Sequence, residues 1–269
     1  MPNDQFSLIF IGDIIGQPGR ETCHRLFDQI YEKYLPDIIV VNGENLASGF
    51  GISRKVANEM FSLGVNFITG GNHFLQVDNI EDWFEIEPKV VIPANYTHYI
   101  RGNRLGLYQS EQLKLYVISL LGRLYMNPVD NPFICIDKII SDIGNRDNNQ
   151  IVVVDFHAEA TSEKQAMLHH LNGRVSAVLG THTHVQTADC LVTDQGTAYI
   201  TDVGMVGAVK SVIGMDWKAS VEIMKTGRRR RLRPYYDPLR KLDGVLVKFD
   251  KSTGGAALIE NFSLRAEIN

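Results

Sequence analysis

Apolar residues in the first part of the chain fall into short unbroken runs separated by stretches with helical spacing. Residues 6–11 form one such run, and residues 20–34 follow with Leu26, Phe27, Ile30 and Tyr34 on one helical face, closed by Pro36. Residues 37–41 read as a second buried strand, residues 53–63 as a helix with Ser53 at its N-cap, and residues 65–69 as a third strand. A βαβαβ unit of this kind closes by right-handed crossovers into a parallel sheet, so all its strands end at one edge.

Beyond residue 90 the rhythm changes. Residues 108–112 and 113–121 read as paired strands, which turns the arrangement mixed. A helix over 132–143, a polar turn over 145–149 and an apolar strand over 151–154 come next, then a helix over 162–171 and a strand over 175–179. Strands near 189–193 and 197–201 continue the series, and 245–249 pairs with 257–264 across a turn at 250–255. The pattern predicts an α/β fold, a sandwich of two mixed β-sheets flanked by helices. No repeat or linker interrupts it, and 269 residues with 44% apolar content can bury one large core, so residues 1–269 are expected to form a single domain.

Composition adds exclusions. A net charge of −4 gives no long-range attraction to nucleic acid and no repulsion from it. Cys23, Cys135 and Cys190 are odd in number and widely spaced, which fits neither a disulfide framework nor a CxxC metal motif, and they are expected to be reduced. The first residues lack a secretory signal, and no run approaches the roughly 20 apolar residues of a membrane span; a soluble, cytoplasmic protein without a membrane partner is the expectation.

The candidate chemistry lies where strands stop. Gly12-Asp13, Gly43-Glu44-Asn45, Gly71-Asn72-His73, Asp155-Phe156-His157 and Gly180-Thr181-His182-Thr183-His184 each follow a strand-like run. Loops at the carboxyl ends of strands can converge on one site. Asp13, Glu44, Asn45 and Asn72 offer oxygen and His157, His182 and His184 offer nitrogen, a set that suits Fe, Mn, Zn or Co better than Mg or Ca. Seven ligands are too many for one ion. Two metals about 3.5–4 Å apart need a bridging carboxylate, for which Glu44 is best placed, and a second bridge of hydroxide would be the nucleophile. Taken singly, each segment reads equally as a helix cap or turn; their joint occurrence favours the metal centre.

These segments, in this order, resemble the calcineurin-like metallophosphoesterases, and within them the bacterial YmdB-like branch. That branch carries Glu where the wider superfamily has a bridging Asp, as in Asn42-Gly43-Glu44-Asn45, and Ile15 stands where the superfamily has a His. Pro93-Ala94-Asn95, Leu121-Gly122-Arg123, the stretch 201–207 and Gly214-Met215-Asp216 extend the likeness over nearly the whole chain. The resemblance implies one metal on Asp13, Glu44, Asn45 and His184, and a second on Glu44, Asn72, His157 and His182. It implies iron or manganese as the metals, His73 as the acid that protonates the leaving oxygen, and phosphodiesterase activity on 2',3'-cyclic nucleotides such as 2',3'-cAMP. The chain departs from the branch at Phe74-Leu75-Gln76, where Thr-Trp-Asp is usual, and over residues 208–212. Both departures concern substrate selection rather than ligands.

Other features receive weaker assignments. His24, His98, His169 and His170 are expected to have no metal role. Arg228, Arg229, Arg230, Arg231 and Arg233 form one dense run before Pro234, Tyr235, Tyr236 and Pro238; a solvated β-edge or loop is favoured over RNA contact. Arg123 reads as a phosphate clamp or a buried ion pair, and Asn95 as a shaper of the Pro93 turn. Two competing functions stand beside the diesterase: a regulatory or RNA-associated binding protein with a metal pocket and little catalysis, and a phosphomonoesterase using Lys210 or Arg123 as an extra cation. A homo-oligomer is compatible with every one of these readings.

Overall fold

A computed structural model describes residues 4–77, 80–144, 146 and 149–268. The chain first lays down β1 (Gln5–Ile11), β2 (Asp13–Ile14), α1 (Gly16–Tyr34), β3 (Ile38–Asn42), α2 (Arg54–Ser62), β4 (Phe67–Thr69), α3 (Glu81–Ile86) and β5 (Val90–Val91). It then builds β6 (Gly106–Gln109), β7 (Lys114–Leu121), α4 (Pro132–Ile143), β8 (Gln150–His157), α5 (Thr161–Leu171), β9 (Ala177–Thr181), β10 (Leu191–Val192) and β11 (Ala198–Ile200). Finally β12 (Met205–Ala208), α6 (Trp217–Thr226), β13 (Leu239–Asp250) and β14 (Ala256–Glu267) complete it.

The first sheet has the order β2-β12-β13-β1-β3-β4-β5, with β14 on β13. Strands β1, β3, β4 and β5 run parallel, and β13 lies antiparallel to β1. The second sheet has the order β10-β11-β9-β8-β7-β6, parallel at its centre and antiparallel at both edges. Two mixed sheets are therefore observed, as the pattern predicted.

Strict alternation divides each central strand between two cores. Phe6, Leu8 and Phe10 of β1 meet Val117, Ile151, Val153 and Leu179 between the sheets. Ile9 and Ile11 face outward against Leu26, Phe27 and Ile30 of α1. On the opposite layer Val152, Val154 and Phe156 pack under Ile136 and Ile140 of α4 and Met167 of α5. Burial on both faces explains why these strands read as continuous apolar runs in the sequence.

Local chemistry moves several boundaries. Helix α1 starts at Gly16, four residues before the predicted start, because Pro18 sits in the first turn, where its missing N–H has no partner to lose. It ends as expected, with Leu35 left-handed (φ 45°) just before Pro36. Ser53 occupies the N-cap position of α2, yet its side chain makes no capping bond. Effective caps occur instead at Asn131 of α4 and Asp216 of α6, each accepting from two backbone amides. The strand predicted at 108–112 is shifted to 106–109, with residues 110–113 turning. Much of the predicted polar turn at 145–149 lies outside the described residues.

Candidate metal centre

All seven predicted ligands come together at the carboxyl ends of the strands. Asp13 opens β2, Glu44 and Asn45 follow β3, Asn72 follows β4, His157 closes β8, and His182 and His184 follow β9. Asp13, Glu44, Asn45, His157 and His184 are buried, and His182 is half-buried. Their donor atoms form two groups, Glu44 with His157 and His182, and Asp13 with Glu44 and His184, and Glu44 belongs to both.

In the first group His157 Nε2 lies 3.1 Å from Glu44 Oε2, 2.9 Å from Asn72 Oδ1 and 3.0 Å from His182 Nδ1. Ligand bonds of about 2.0–2.1 Å at right angles would set neighbouring donor atoms about 3 Å apart, so this spacing fits a transition-metal ion. Asp13 Oδ1 of the second group, and Oδ1 of Asn45 next to Glu44 in the chain, are buried without any hydrogen-bond partner among the described residues. Two orphaned buried oxygens beside an imidazole are costly unless a cation satisfies them. The donor set thus fits a metal at both positions.

Supporting bonds select which ring nitrogen each histidine could offer a metal. His184 Nδ1 donates to the Ile213 carbonyl (2.9 Å), which leaves Nε2, 3.8 Å from Asp13 Oδ1, with its lone pair. His182 Nε2 faces Glu159 Oε2 at 3.1 Å, which frees Nδ1. Thr181 Oγ1 donates to Asp155 Oδ1 (2.7 Å) and so accepts from His157 Nδ1 (2.8 Å). Asp155 also accepts from Thr69 Oγ1 and Asn42 Nδ2, which ties three strands to one buried carboxylate. Partners of this kind fix ring orientation and raise ligand basicity.

Backbone constraints complete the cradle. A Cβ on Gly71 would lie 2.2 Å from Glu44 Oε2 and 2.6 Å from His157 Nε2, so a side chain there would overlap the donor atoms. His182 (φ 107°) and His184 (φ 65°) are left-handed, which costs a non-glycine residue roughly 1–3 kcal/mol each. Asp202, paired with the buried Lys164, holds that turn by accepting from Thr183 N at 2.9 Å. This conformation also places the alternate histidines in different ligand groups, as expected of a loop rather than a strand.

With the protein's own charges alone the cluster is strongly polarised. Burial raises the Asp13 carboxyl pKa, with Glu44 and Asp202 adding to it against His184 and His157. Burial acts in the same direction on Glu44, but its contacts with His157 and His73 outweigh it and hold the carboxyl below the usual range. Desolvation pulls His157 down, yet Glu44, Asp13 and Asp155 prevail and push it up to about 9. His182 is lowered to about 3 by burial and by neighbouring His157. A cation placed among these groups takes over the charge balance that a proton on His157 otherwise supplies.

His73 sits beside the ligands. Its backbone N–H donates to Glu44 Oε2 (3.1 Å), and its ring stands edge-on to Phe50 at 4.9 Å. Burial lowers its pKa, opposed by Glu44. The Gln76 side-chain amide donates to Nδ1 at 2.8 Å, which leaves the ring proton on Nε2. Gln76, noticed in the sequence only as a departure from a family pattern, thus sets the tautomer.

Other predicted features separate from this centre. Arg123 is exposed and its guanidinium makes no ion pair among the described residues, so the buried-pair reading is corrected; its backbone N–H instead donates to Glu163. Asn95 is buried and ties the end of β7 to residue 130 by accepting from Leu121 N and donating to Leu121 O and Asp130 O. His24 pairs with Glu59 and His170 with Asp137. All three cysteines are free. Lys210 is exposed. Residues 228–233 form no strand, so the β-edge reading of the arginine run gives way to a loop. Asp155, Thr181 and Asp202 lay inside segments singled out in the sequence, but nothing in those segments marked them as supports.

A two-sheet sandwich with two acid–imidazole groups sharing one carboxylate at its strand ends defines a calcineurin-like metallophosphoesterase, a phosphoric ester hydrolase. More narrowly, the chain belongs to the YmdB-like protein family, which it matches over residues 9–262. It is 38% identical over 253 residues to a 2',3'-cyclic-nucleotide 2'-phosphodiesterase of Bacillus subtilis, covering 94% of this chain and 95% of that one. It is 34% identical over 265 residues to a putative phosphatase/phosphodiesterase of Mycoplasma pneumoniae, covering 93% and 90%. The crystal structure of a phosphatase from Mycoplasma pneumoniae superposes with a TM-score of 0.91 at 32% identity, over 99% of this chain and 95% of that chain. No helix among the described residues is long and apolar enough to cross a membrane.

Proposed function

We propose that this chain is a dimetal phosphodiesterase that opens 2',3'-cyclic nucleotides such as 2',3'-cAMP. The observation that carries the reading is the sharing of Glu44 between two ligand groups, one of which contains the orphaned Asp13 oxygen. The similarity to a relative named for 2',3'-cyclic nucleotides supplies the substrate class.

Asp13, Glu44, Asn45 and His184 hold one metal in this reading, and Glu44, Asn72, His157 and His182 the other. Iron or manganese there supplies Lewis acidity that activates water and offsets charge on the phosphate oxygens. Asn45 donates to the Gly49 carbonyl through Nδ2, so its Oδ1 is turned into the site. His73 protonates the departing ribose oxygen from its doubly protonated form, for which the Gln76 amide turns its oxygen toward Nδ1–H, and the Phe50 ring keeps the imidazole in place. The proton that the attacking water releases balances the one given up by His73, and reprotonation of the ring readies it for the next turnover.

The test is hydrolysis of 2',3'-cAMP, bis-p-nitrophenyl phosphate and p-nitrophenyl phosphate by metal-analysed protein. Wild type is expected to carry two ions per chain and to prefer the diesters. Glu44→Ala should lose both ions together with turnover, whereas His73→Ala should keep the ions and lose about 100-fold or more in kcat. A preference for the monoester would overturn the diesterase assignment.

A further inference from the structure

The arginine loop is anchored against the metal centre rather than free in solvent. Leu232 packs with Ile15, Phe50, Met205 and Met215, and the same Phe50 ring meets His73. Pro234 fits over Gly16 and Gly49, where an added Cβ would lie 2.7 and 2.9 Å from its ring. Tyr235 N donates to Gly214 O (2.9 Å), one residue from the Ile213 carbonyl that orients His184. Arg231 and Arg233 alternate with these two inward-facing residues and are exposed. A run kept only for solubility has no need of such an anchor.

Arg231, Arg233, Tyr235, Tyr236, Gln17 and Ser48 line one cleft of about 640 Å³. The loop carrying Ser48 continues to Gly51, where an added Cβ would lie 3.2 Å from the His73 carbonyl, so a single loop separates the cleft from the candidate acid. The other charged groups at the cleft are already engaged. Arg20 pairs with Glu59 and donates to the Leu46 and Ala47 carbonyls, and Asp216 caps α6. Arg230 pairs with Glu222. Arg228, Arg229, Arg231 and Arg233 have no counter-ion among the described residues, in a chain whose net charge is −4. Two unpaired guanidiniums lining the cleft, Arg231 and Arg233, call for an anionic occupant with repeated phosphates.

We propose that this cleft binds the 5' side of a single-stranded RNA whose 3' end, a 2',3'-cyclic phosphate, lies at the metal centre. The inference rests on the phosphodiesterase reading and narrows its substrate class from free nucleotides to RNA ends. Arg231 and Arg233 take backbone phosphates, and the exposed Tyr236 ring, covered on one face by Arg240, offers its other face to a base. Hydrolysis at the end breaks one phosphorus–oxygen bond to the terminal ribose, forms one from water, and returns a proton to the ribose oxygen. Strand cleavage by attack of a ribose 2'-hydroxyl is the class of reaction that supplies such ends.

The experiment compares an RNA octamer ending in a 2',3'-cyclic phosphate with 2',3'-cAMP, using metal-loaded wild type and the double variant Arg231→Ala, Arg233→Ala. A fluorescein-labelled octamer with a 3'-phosphate reports binding by anisotropy across a salt series. The octamer is expected to show at least a ~10-fold lower KM than 2',3'-cAMP, and the double variant to abolish that advantage without changing turnover of 2',3'-cAMP. Loss of two phosphate contacts should flatten the slope of log K against log salt by about 1.4. Equal KM values, or binding that ignores both arginines, would overturn the proposal while leaving the diesterase reading intact. Arginine-dependent RNA binding with no turnover of either substrate would leave the RNA surface standing and remove the diesterase. Competition by polyglutamate as strong as by RNA would reassign the cleft to an acidic protein and overturn the proposal.

Discussion

Thr181 carries no ligand atom of the proposed centre, yet it links two groups that the metals depend on. Its hydroxyl accepts a hydrogen bond from His157 Nδ1 and donates one to Asp155 Oδ1. Thr181→Val keeps the shape and removes both bonds, leaving His157 free to rotate and Asp155 short of one donor. Metal affinity should fall about 10–100-fold, measured by competition with a chromophoric chelator, while the variant still folds. An unchanged affinity would mean that packing alone orients His157. The sequence placed Thr181 between two glycine- and histidine-rich positions but gave no sign of its partner, because Asp155 lies 26 residues away on the neighbouring strand.

The sequence predicts a helix over 162–171, and α5 there buries Met167, Leu168 and Leu171. The same helix also buries Glu163 and Lys164, which no apolar stripe anticipates. Glu163 accepts from Arg123 N and Leu124 N, and Lys164 Nζ bonds Asp202 Oδ2 at 2.9 Å with both side chains essentially inaccessible. Lys164→Met would leave the Asp202 charge buried and unpaired, a loss of about 3–5 kcal/mol read as a drop in thermal midpoint. Turnover should fall as well, because Asp202 holds the His182–His184 turn through Thr183. If Lys164→Met matched wild type in both, the pair would have no structural role. The short elements β2, α3 and β12 escaped prediction because each is too brief for its periodicity to stand out.

The cluster of Asp13, Glu44, His157 and His182 ties stability to pH, and through the proposed ions to metal. His157 is pushed up to about 9 from an ordinary value of 6.5, so without metal it stabilises the folded chain fully below pH 6.5 and loses that contribution as pH rises through 9. Asp13, also raised, loses its contribution in the same upward direction. Glu44 and His182, both lowered, act at acid pH and leave this window untouched. Chelated protein should therefore lose up to about 3 kcal/mol between pH 7 and 9, seen as a falling midpoint in calorimetry, whereas manganese-loaded protein should hold its midpoint. Parallel curves for the two forms would remove the ions from this part of the fold.

The sequence by itself determined the class of fold and the identity of the candidate donors. Strands buried on both faces must be apolar throughout, helices between them must show their spacing, and metal-binding side chains at the ends of such strands are visible as short motifs. It could not determine which donor atom faces which partner, because Thr181, Ile213, Glu159 and Asn42 act across separations of 23 to 139 residues. Only the tertiary structure set the His73 tautomer through Gln76, joined His157 to Asp155 through Thr181, and fastened the arginine loop beside the site. Periodicity records burial along one chain segment; charge, hydrogen bonding and access depend on segments that meet only after folding.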